Sequence, residues 1–273
     1  MIISNITRRL LVILAIFYVS TSFSQIKIVS WNIKDLGQSK NKREVEYMAN
    51  ELNQFDIVAI QEVVAGPGGA KAVARLADEL NRKGTKWDYT ISNPTVSSPY
   101  SSERYAYLWK VNKIKISKKA KLDHHYIEEI EREPYMFTFK YKKIDFRLFS
   151  FHAVPKSKQP EREIKYFKNY PEHFFEDELI FVGDFNIPND HTVFNPLKKM
   201  NYKPSMSKQK TSLRTKCIAN DCLASSYDHI FLNNQSVIIL GYGVSHFYRN
   251  FDSLKKARKI SDHIPIWVEI DLR

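Results

Sequence analysis

The stretch SDHIPIWVEI spans Ser261–Ile270. Its apolar part, Ile264–Ile270, has the composition of a buried β-strand. Immediately before that strand an acid and an imidazole, Asp262 and His263, stand side by side. A carboxylate can hold a metal ion, and an imidazole can move a proton near neutral pH. If other strands begin or end on the same residue types, their ends would form one shared site.

Further predicted strand ends carry such residues. They are Asn32 after Ile26–Ser30, Glu62 after Asp56–Ile60, His152 after Phe146–Phe151, Asp184 and Asn186 after Leu179–Val182, and Asp228 at the start of Tyr227–Leu232. One polar residue in a loop needs no explanation. Together with Asp262 and His263 these make six such strand ends in one domain, which predicts a common site where the strand ends converge.

The residue types at these ends indicate a particular chemistry. Carboxylates and amides are oxygen ligands that suit Mg²⁺, Mn²⁺ or Ca²⁺, whereas zinc sites prefer His and Cys. His152 and His263 can each transfer a proton. A divalent cation, two imidazoles and several acids are the groups that hydrolysis of a phosphodiester needs.

The rest of the chain alternates strand and helix patterns, which predicts an α/β fold. Helical spacing occurs over Lys42–Leu52, Gly69–Leu80 and Glu161–Tyr170. Further strand patterns cover Tyr105–Lys110, Ile114–Leu122, Tyr135–Tyr141 and Val237–Tyr242. Because several consecutive strands have no helix between them, a layered sandwich with helices outside is favoured over a doubly wound parallel sheet.

Residues 1–24 have the pattern of a secretory signal peptide. Arg8 and Arg9 precede the apolar run Leu10–Val19, and Ser22 and Ser24 are the small residues of a cleavage site. A membrane anchor is the alternative, although the apolar run is shorter than the ~20 residues that a span needs. We expect a single domain over residues 25–273 that is secreted or periplasmic and has no stable membrane association after cleavage.

The chain is strongly basic, with a formal net charge of +12. Cleavage of the predicted signal peptide would remove the two charges of Arg8 and Arg9 and leave +10. Such a charge suits a polyanionic partner, which is a nucleic acid, an anionic lipid or an acidic glycan, but it also serves solubility. Charge alone does not choose among these partners.

Cys217 and Cys222 are the only cysteines, and they lie in the polar stretch TKCIANDCLASS. Export would permit a disulfide. Closing so short a loop stabilises a fold by about 2 kcal/mol in the chain-entropy model. A local disulfide is therefore favoured over two free thiols, and a zinc site is disfavoured because no further Cys or His pair is near.

Seven short motifs occur in one order along the chain: VSWNI, DIVAIQEV, SERYAYLWK, FHAVP, VGDFN, YDHIFL and SDHIPI. Together they resemble the endonuclease/exonuclease/phosphatase superfamily, and most of all its deoxyribonuclease I branch. The resemblance implies an α/β four-layer sandwich in which two mainly antiparallel sheets pack face to face with helices outside. It also implies a metal-dependent phosphodiesterase site at one edge of the sheets.

The resemblance assigns roles to the oxygen ligands. Glu62 of IQEV would be the principal metal ligand, supported by Asn32 and by Asp262 of SDH. Asp184 and Asn186 of GDFN would hold the attacking water and the scissile phosphate. The expected ion is Mg²⁺, with Mn²⁺ possible and Ca²⁺ possible as a structural or activating ion.

The resemblance also pairs each imidazole with an acid. His263 would pair with Asp228 of YDHI, which orients the ring and favours its protonated form. His152 would donate to a phosphate oxygen or to the leaving group, and Glu103 of SERY would orient it. The abasic-site endonucleases and many lipid phosphodiesterases of this superfamily lack the second pair, so it favours a deoxyribonuclease. Arg104 contacts a nearby phosphate or is a surface charge of its strand.

Two further features bear on the substrate. The deoxyribonuclease family has a minor-groove arginine where this chain has Val64, which leaves a preference for duplex DNA open. The basic run before SDH includes Lys255, Lys256 and Arg258. It is either a clamp on the phosphate backbone beside the site or a solvated loop.

The function expected from the sequence is a secreted, metal-dependent endonuclease that leaves 5′-phosphate ends on DNA. It would bind DNA mainly through backbone phosphates and act as a monomer. The alternative is a phosphodiesterase or phosphatase of the same fold that acts on RNA, a phospholipid headgroup or another phosphoester. A non-catalytic binding protein is least favoured, because every expected site residue is present.

Overall fold

A computed structural model of the chain describes residues 25–97 and 102–273. The predicted signal peptide, residues 1–24, lies outside the described residues. Two six-stranded sheets pack face to face, and helices cover their outer sides. Each sheet has one parallel pair of strands at its centre and antiparallel pairs elsewhere, as predicted. No helix within the described ranges combines the length and the apolar character of a membrane span.

The strands, numbered along the chain, are β1 (Ile26–Leu36), β2 (Ile57–Val64), β3 (Trp87–Ile91), β4 (Glu103–Lys110), β5 (Lys115–Leu122), β6 (Tyr135–Tyr141), β7 (Ile144–His152), β8 (Glu178–Asp184), β9 (Tyr202–Pro204), β10 (Leu213–Ile218), β11 (Asp221–Leu223), β12 (Asp228–Asn233), β13 (Val237–Val244) and β14 (Ile266–Leu272). The first sheet has the order β13-β14-β1-β2-β4-β3 and the second β5-β6-β7-β8-β12-β9, while β10 and β11 form a separate hairpin.

The helices are α1 (Lys42–Leu52), α2 (Pro67–Asn81), α3 (Glu161–Ile164), α4 (Tyr170–His173), α5 (Asn195–Lys199) and α6 (Leu254–Ile260). Helix α1 begins at a capping box, in which the Asn41 side chain accepts from the Glu44 amide and Glu44 accepts in return. The predicted bounds of α1 are confirmed, and the helix predicted at Gly69–Leu80 is confirmed within α2.

The helix predicted over Glu161–Tyr170 is wrong in its form. A 3₁₀ segment, Lys165–Asn169, separates α3 from α4. Ile164, Phe167 and Tyr170 are all buried, and their spacing of three is the repeat of a 3₁₀ helix rather than an α-helix. Burial of this apolar row against the second sheet therefore favours the tighter turn.

Three apolar layers separate the four layers of secondary structure. The alternation of side chains along a strand sends Ile26 and Ile28 of β1 toward the second sheet, and Val29 and Trp31 toward α1 and α2. Aromatic rings fill the space between the sheets, and a third cluster lies under α3 to α5. The four-layer sandwich predicted from the motifs is confirmed.

The strand directions explain why polar strand ends meet. Strands β1 and β2 run parallel, and so do β7 and β8. Asn32 of β1 contacts Asp184 at the end of β8, so the ends of both pairs emerge at one edge of the sandwich. Their antiparallel neighbours β4, β12 and β14 begin at the same edge. This edge holds every strand end that the sequence singled out.

Candidate active site

Asp184 occupies the centre of this edge. In the second sheet it is the register partner of His152 on one side and of Asp228 on the other. Val182 and Ile230, which lie two residues from Asp184 and Asp228 on β8 and β12, belong to the core between the sheets. Because side chains alternate along a strand, Asp184, Asp228 and their neighbour His152 face the same gap between the sheets. The pleat thus aims two acids and an imidazole into one cleft.

The Asp184 carboxylate is almost fully buried and contacts groups from both sheets. Its Oδ2 accepts from Asn32 Nδ2 at 3.1 Å and lies 3.6 Å from Nε2 of each histidine, His152 and His263. Its Oδ1 accepts from the backbone amide of Asn186 at 2.9 Å. One carboxylate therefore stands between the two predicted proton-transfer groups.

Glu62 reaches the same cleft through a β-bulge. The pairing of β2 with β4 shifts register between Ile60 and Val63, and Glu62 itself has φ +59°. The extra residue lets Gln61 stay between the sheets, where it donates to Ser150 Oγ at 2.7 Å. Glu62 is turned toward the strand ends, which is a common use of a bulge beside a site.

His263 forms a close pair with Asp228. The distance from Nδ1 to Asp228 Oδ2 is 2.7 Å. Burial disfavours the charged ring, but the carboxylates of Asp228 and Asp184 outweigh burial and raise the pKa of His263 to about 10. Trp31 Nε1 donates to the His263 carbonyl at 2.8 Å, and the Ser261 hydroxyl accepts from its amide at 3.0 Å. The ring is held both charged and oriented.

His152 forms the second pair, with Glu103. Its Nδ1 lies 2.9 and 3.1 Å from the two carboxylate oxygens. Burial opposes the charged form of His152, but the Glu103 carboxylate outweighs it, so the pKa of the ring is raised. The Nε2–H of the protonated ring faces Asp184 and is free to donate to a substrate oxygen.

Arg132 supports the second pair and was missed by the sequence reasoning. Its guanidinium is buried, donates to the His152 carbonyl at 2.9 Å and lies 3.4 Å from Glu103. The guanidinium also donates to the Ala153 carbonyl. It lies in the connection before β6, where no periodic pattern marked it as buried.

The predicted metal ligands are only partly brought together. Asn32 Nδ2 donates to Glu62 Oε1 at 2.9 Å, and the buried Oδ1 of Asn32 has no hydrogen-bond partner among the described residues. A buried amide oxygen without a partner beside a carboxylate fits a hard cation. Asp262 lines the same cleft, but its Oδ2 lies 3.4 Å from Lys34 and 3.1 Å from Arg258.

Within residues 25–97 and 102–273, the group of three possible ligands whose atoms lie within 4.8 Å of one another is Asp184, Asp228 and His263. A metal-bound imidazole must be unprotonated at the ligating nitrogen. The pKa of His263 is raised to about 10, and its Nδ1 is bound to Asp228. This group therefore fits a charged acid–imidazole pair better than a metal site.

Arg104 lies on the opposite face of β4 from Glu103. Because side chains alternate along a strand, Glu103 faces the cleft and Arg104 faces the helices. Its guanidinium donates to the carbonyls of Ala65 at 2.7 Å and Ser92 at 2.8 Å, and it is not among the residues that line the cleft. In the structure Arg104 holds the segments that carry Ala65 and Ser92, and its contact with a phosphate stays a prediction.

The basic run forms helix α6 instead of a loop. Ser253 caps it, and Leu254, Ala257 and Ile260 face the protein. Lys255 and Lys256 are exposed, and Lys256 pairs with Asp252.

Arg258 binds the Leu213 carbonyl and Asp262 and therefore holds the SDH segment. Strand β14 begins at Ile266, later than predicted, because Pro265 has no amide hydrogen for the ladder.

The cleft that joins these side chains has a volume of about 640 Å³ and contains Glu62, Glu103, His152, Asp184 and His263. A sandwich of two mixed sheets with two acid–imidazole pairs at one edge defines a class of phosphoester hydrolases. Residues 29–263 match the Endonuclease/Exonuclease/phosphatase family, and the chain belongs to that family. Enzymes of this family generally depend on a divalent metal ion.

Relatives span nearly the whole chain. It is 26% identical over 284 aligned positions to a protein named Deoxyribonuclease from Thioalkalivibrio sp. (strain K90mix), with 94% of this chain and 74% of the relative covered. A family protein from Bacteroides thetaiotaomicron has a similar fold, with a TM-score of 0.64, 17% identity, and 91% and 98% of the two chains covered. The structure of D. rerio TDP2 complexed with single strand DNA product has a TM-score of 0.63 at 14% identity, covering 90% of this chain and 99% of that one.

Proposed function

We propose that this chain is an exported endonuclease that depends on a divalent cation, hydrolyses phosphodiester bonds of DNA and leaves 5′-phosphate ends. The observation that carries the proposal is the His152–Glu103 pair, which stands across Asp184 from the His263–Asp228 pair. The relative named Deoxyribonuclease supports a DNA substrate, and the net charge of +10 expected after signal cleavage suits a polyanion. The polar strand ends of both sheets supply the acids and the two imidazoles that hydrolysis of a phosphodiester needs.

The charged ring of His263 stabilises the negative charge that develops on the phosphoryl oxygens during attack by water. Asp184 and Asn186 orient the water and the phosphate, and the Asp184 carboxylate accepts the proton that the water loses on attack. The bond from phosphorus to the 3′-oxygen breaks, and His152 gives that oxygen its Nε2 proton, so the phosphate stays on the 5′ side. Bound at Glu62, Asn32 and Asp262, Mg²⁺ would neutralise phosphate charge, with Mn²⁺ or Ca²⁺ as alternatives.

An RNA-directed or other phosphodiesterase is the second candidate. It is favoured by Val64, which is 37% exposed at the margin of the cleft and offers no charged group to a minor groove. The disulfide between Cys217 and Cys222 confirms the local disulfide predicted from the sequence. Export is supported by this disulfide and by the pattern of residues 1–24.

The first test is nicking of supercoiled plasmid by purified residues 25–273, with Mg²⁺ and with excess chelator. We expect nicking that needs the metal, is lost in His263→Ala, and persists in His124→Ala, a matched change of an exposed histidine outside the cleft. The nicks should reseal with DNA ligase without prior kinase treatment. Intact plasmid in the presence of Mg²⁺, or full activity of His263→Ala, would refute the proposal.

A further inference from the structure

A second depression lies beside the catalytic cleft, and we call it the lysine pocket. It has a volume of about 330 Å³. Lys156, Lys208 and Lys210 line it, together with Tyr227 and Ser226. These lysines come from two separate segments of the chain, the turn after β7 and the loop before β10.

The lysine pocket carries uncompensated positive charge. Lys156 and Lys208 are exposed, and neither forms an ion pair with any described residue. Lys210 is paired with Asp221 at 2.5 Å, which leaves the other two ammonium groups for a ligand. One acid, the exposed Asp190, lines the pocket as well. The balance of charge therefore favours an anion.

An aromatic side chain adds a second feature. Partly exposed Tyr227 lines the same pocket. Two unpaired ammonium groups and a ring together match a phosphate with its attached base.

Adjacent stretches of the chain line the lysine pocket and the catalytic cleft. Pro155 lines the cleft and Lys156, the next residue, lines the pocket. Asn186 lines the cleft, and the loop that follows it reaches the pocket at Pro188. Tyr227 of the pocket immediately precedes Asp228, the partner of His263. A strand that leaves the cleft along these segments would reach the pocket.

We infer that the lysine pocket binds a second backbone phosphate of the same polynucleotide whose scissile phosphate lies at His152 and His263. This inference rests on the proposed function and deepens it, because it selects a polymeric substrate over a phosphomonoester or a small diester. A small substrate has no group that spans from the cleft to the pocket. The contact is to the phosphate backbone, so it raises affinity for all sequences alike.

The test is a double variant, Lys156→Gln with Lys208→Gln, in the mature chain. Each phosphate contact contributes about 0.7 to 0.9 to the slope of log affinity against log salt. Because both lysines contact one phosphate, the double variant should lower that slope for the KM of an oligonucleotide by about 0.7 to 0.9. Between 50 and 200 mM salt the wild type should therefore lose roughly 2.6-fold to 3.5-fold more affinity than the variant. The matched control is Lys115→Gln with Lys143→Gln, at the opposite end of the second sheet.

Hydrolysis of bis(p-nitrophenyl) phosphate, which is too small to reach the lysine pocket, reports whether the cleft of each variant is intact. A higher KM and a smaller salt slope for the Lys156/Lys208 variant alone would support the inference. Equal slopes for that variant, the control and the wild type would overturn the inference while the proposed function stands. A wild type that hydrolyses the small diester but no polynucleotide would overturn both.

Discussion

The pairing of His263 with Asp228 can be tested by Asp228→Asn, which keeps the shape of the side chain and removes its charge. The carboxylate lies 2.7 Å from Nδ1 of His263. With a pKa of about 10 against an ordinary value of 6.5, the surroundings favour the charged ring by about 5 kcal/mol. In the variant, burial remains but the nearest of the two carboxylates is gone.

We expect the pKa of His263 in Asp228→Asn to fall by roughly one to three, since that is the range over which one adjacent opposite charge acts. At neutral pH part of the charge that stabilises the transition state would be lost, together with the orientation of the ring. The turnover number should fall by about 10² to 10⁴, as when the acid of an acid–imidazole pair is neutralised. The alkaline limb of the pH–rate profile should move to lower pH.

The stability that the charged His263 contributes depends on pH in the opposite direction to that of a buried neutral histidine. A raised pKa in the folded state stabilises the fold fully below pH 6.5, and this contribution is lost as the pH rises through about 10. Asp228→Asn should therefore be less stable than the wild type near neutral pH and approach it in strong alkali.

The assay is NMR titration of ¹⁵N-labelled histidine rings, which needs neither metal nor substrate, combined with pH–rate profiles. Asp252→Asn, a change of an exposed aspartate that does not line the cleft, is the matched control. If the His263 resonances titrate at the same pH in Asp228→Asn and in the wild type, the carboxylate is not what charges the ring. An unchanged turnover number would refute the catalytic part of the reasoning separately.

Two further predictions concern residues outside the cleft. Arg104→Gln should lower the free energy of unfolding by about 1.5 to 3 kcal/mol, which is the value of hydrogen bonds from a charged group to backbone carbonyls. Urea denaturation measures this loss, and the KM should change little. A large rise in KM with unchanged stability would show a substrate contact instead. His229 is buried and neutral, and burial lowers its pKa to about 4. The neutral ring therefore contributes about 3 kcal/mol to the free energy of unfolding above pH 6.5, and this contribution is lost as the pH falls through 4. Denaturation of His229→Gln should therefore depend less on pH in that window, and an identical pH dependence would contradict the assignment.

Much of the site could be predicted because it lies at strand ends. Strands are marked by β-branched and aromatic runs, so the polar residue that ends each run is visible in the sequence. The two acid–imidazole pairs followed from the family motifs, and the structure places both at hydrogen-bonding distance. Arg104 could also have been placed, because alternation from Glu103 already puts it on the other face of β4.

Other features depend on tertiary contacts that leave no local pattern. Arg132 is a charged residue in an irregular connection, and only the packed fold shows that its guanidinium is buried. Strand β3 was not predicted, because this edge strand has exposed residues at consecutive positions such as Asp88 and Tyr89. Helix α6 was missed because its apolar side is narrow and its other positions are mostly basic.

The indole of Trp31 on β1 donates to the carbonyl of His263, 232 positions later in the chain. Strand β1 also pairs with β14, so the first and last strands of the domain are neighbours. Biosynthesis therefore cannot produce the complete cleft until the segment from Ser261 onward has been made and β14 has docked beside β1. A nascent chain that lacks this segment has Asp228 without its imidazole. The complete cleft therefore arises only after synthesis has passed this segment.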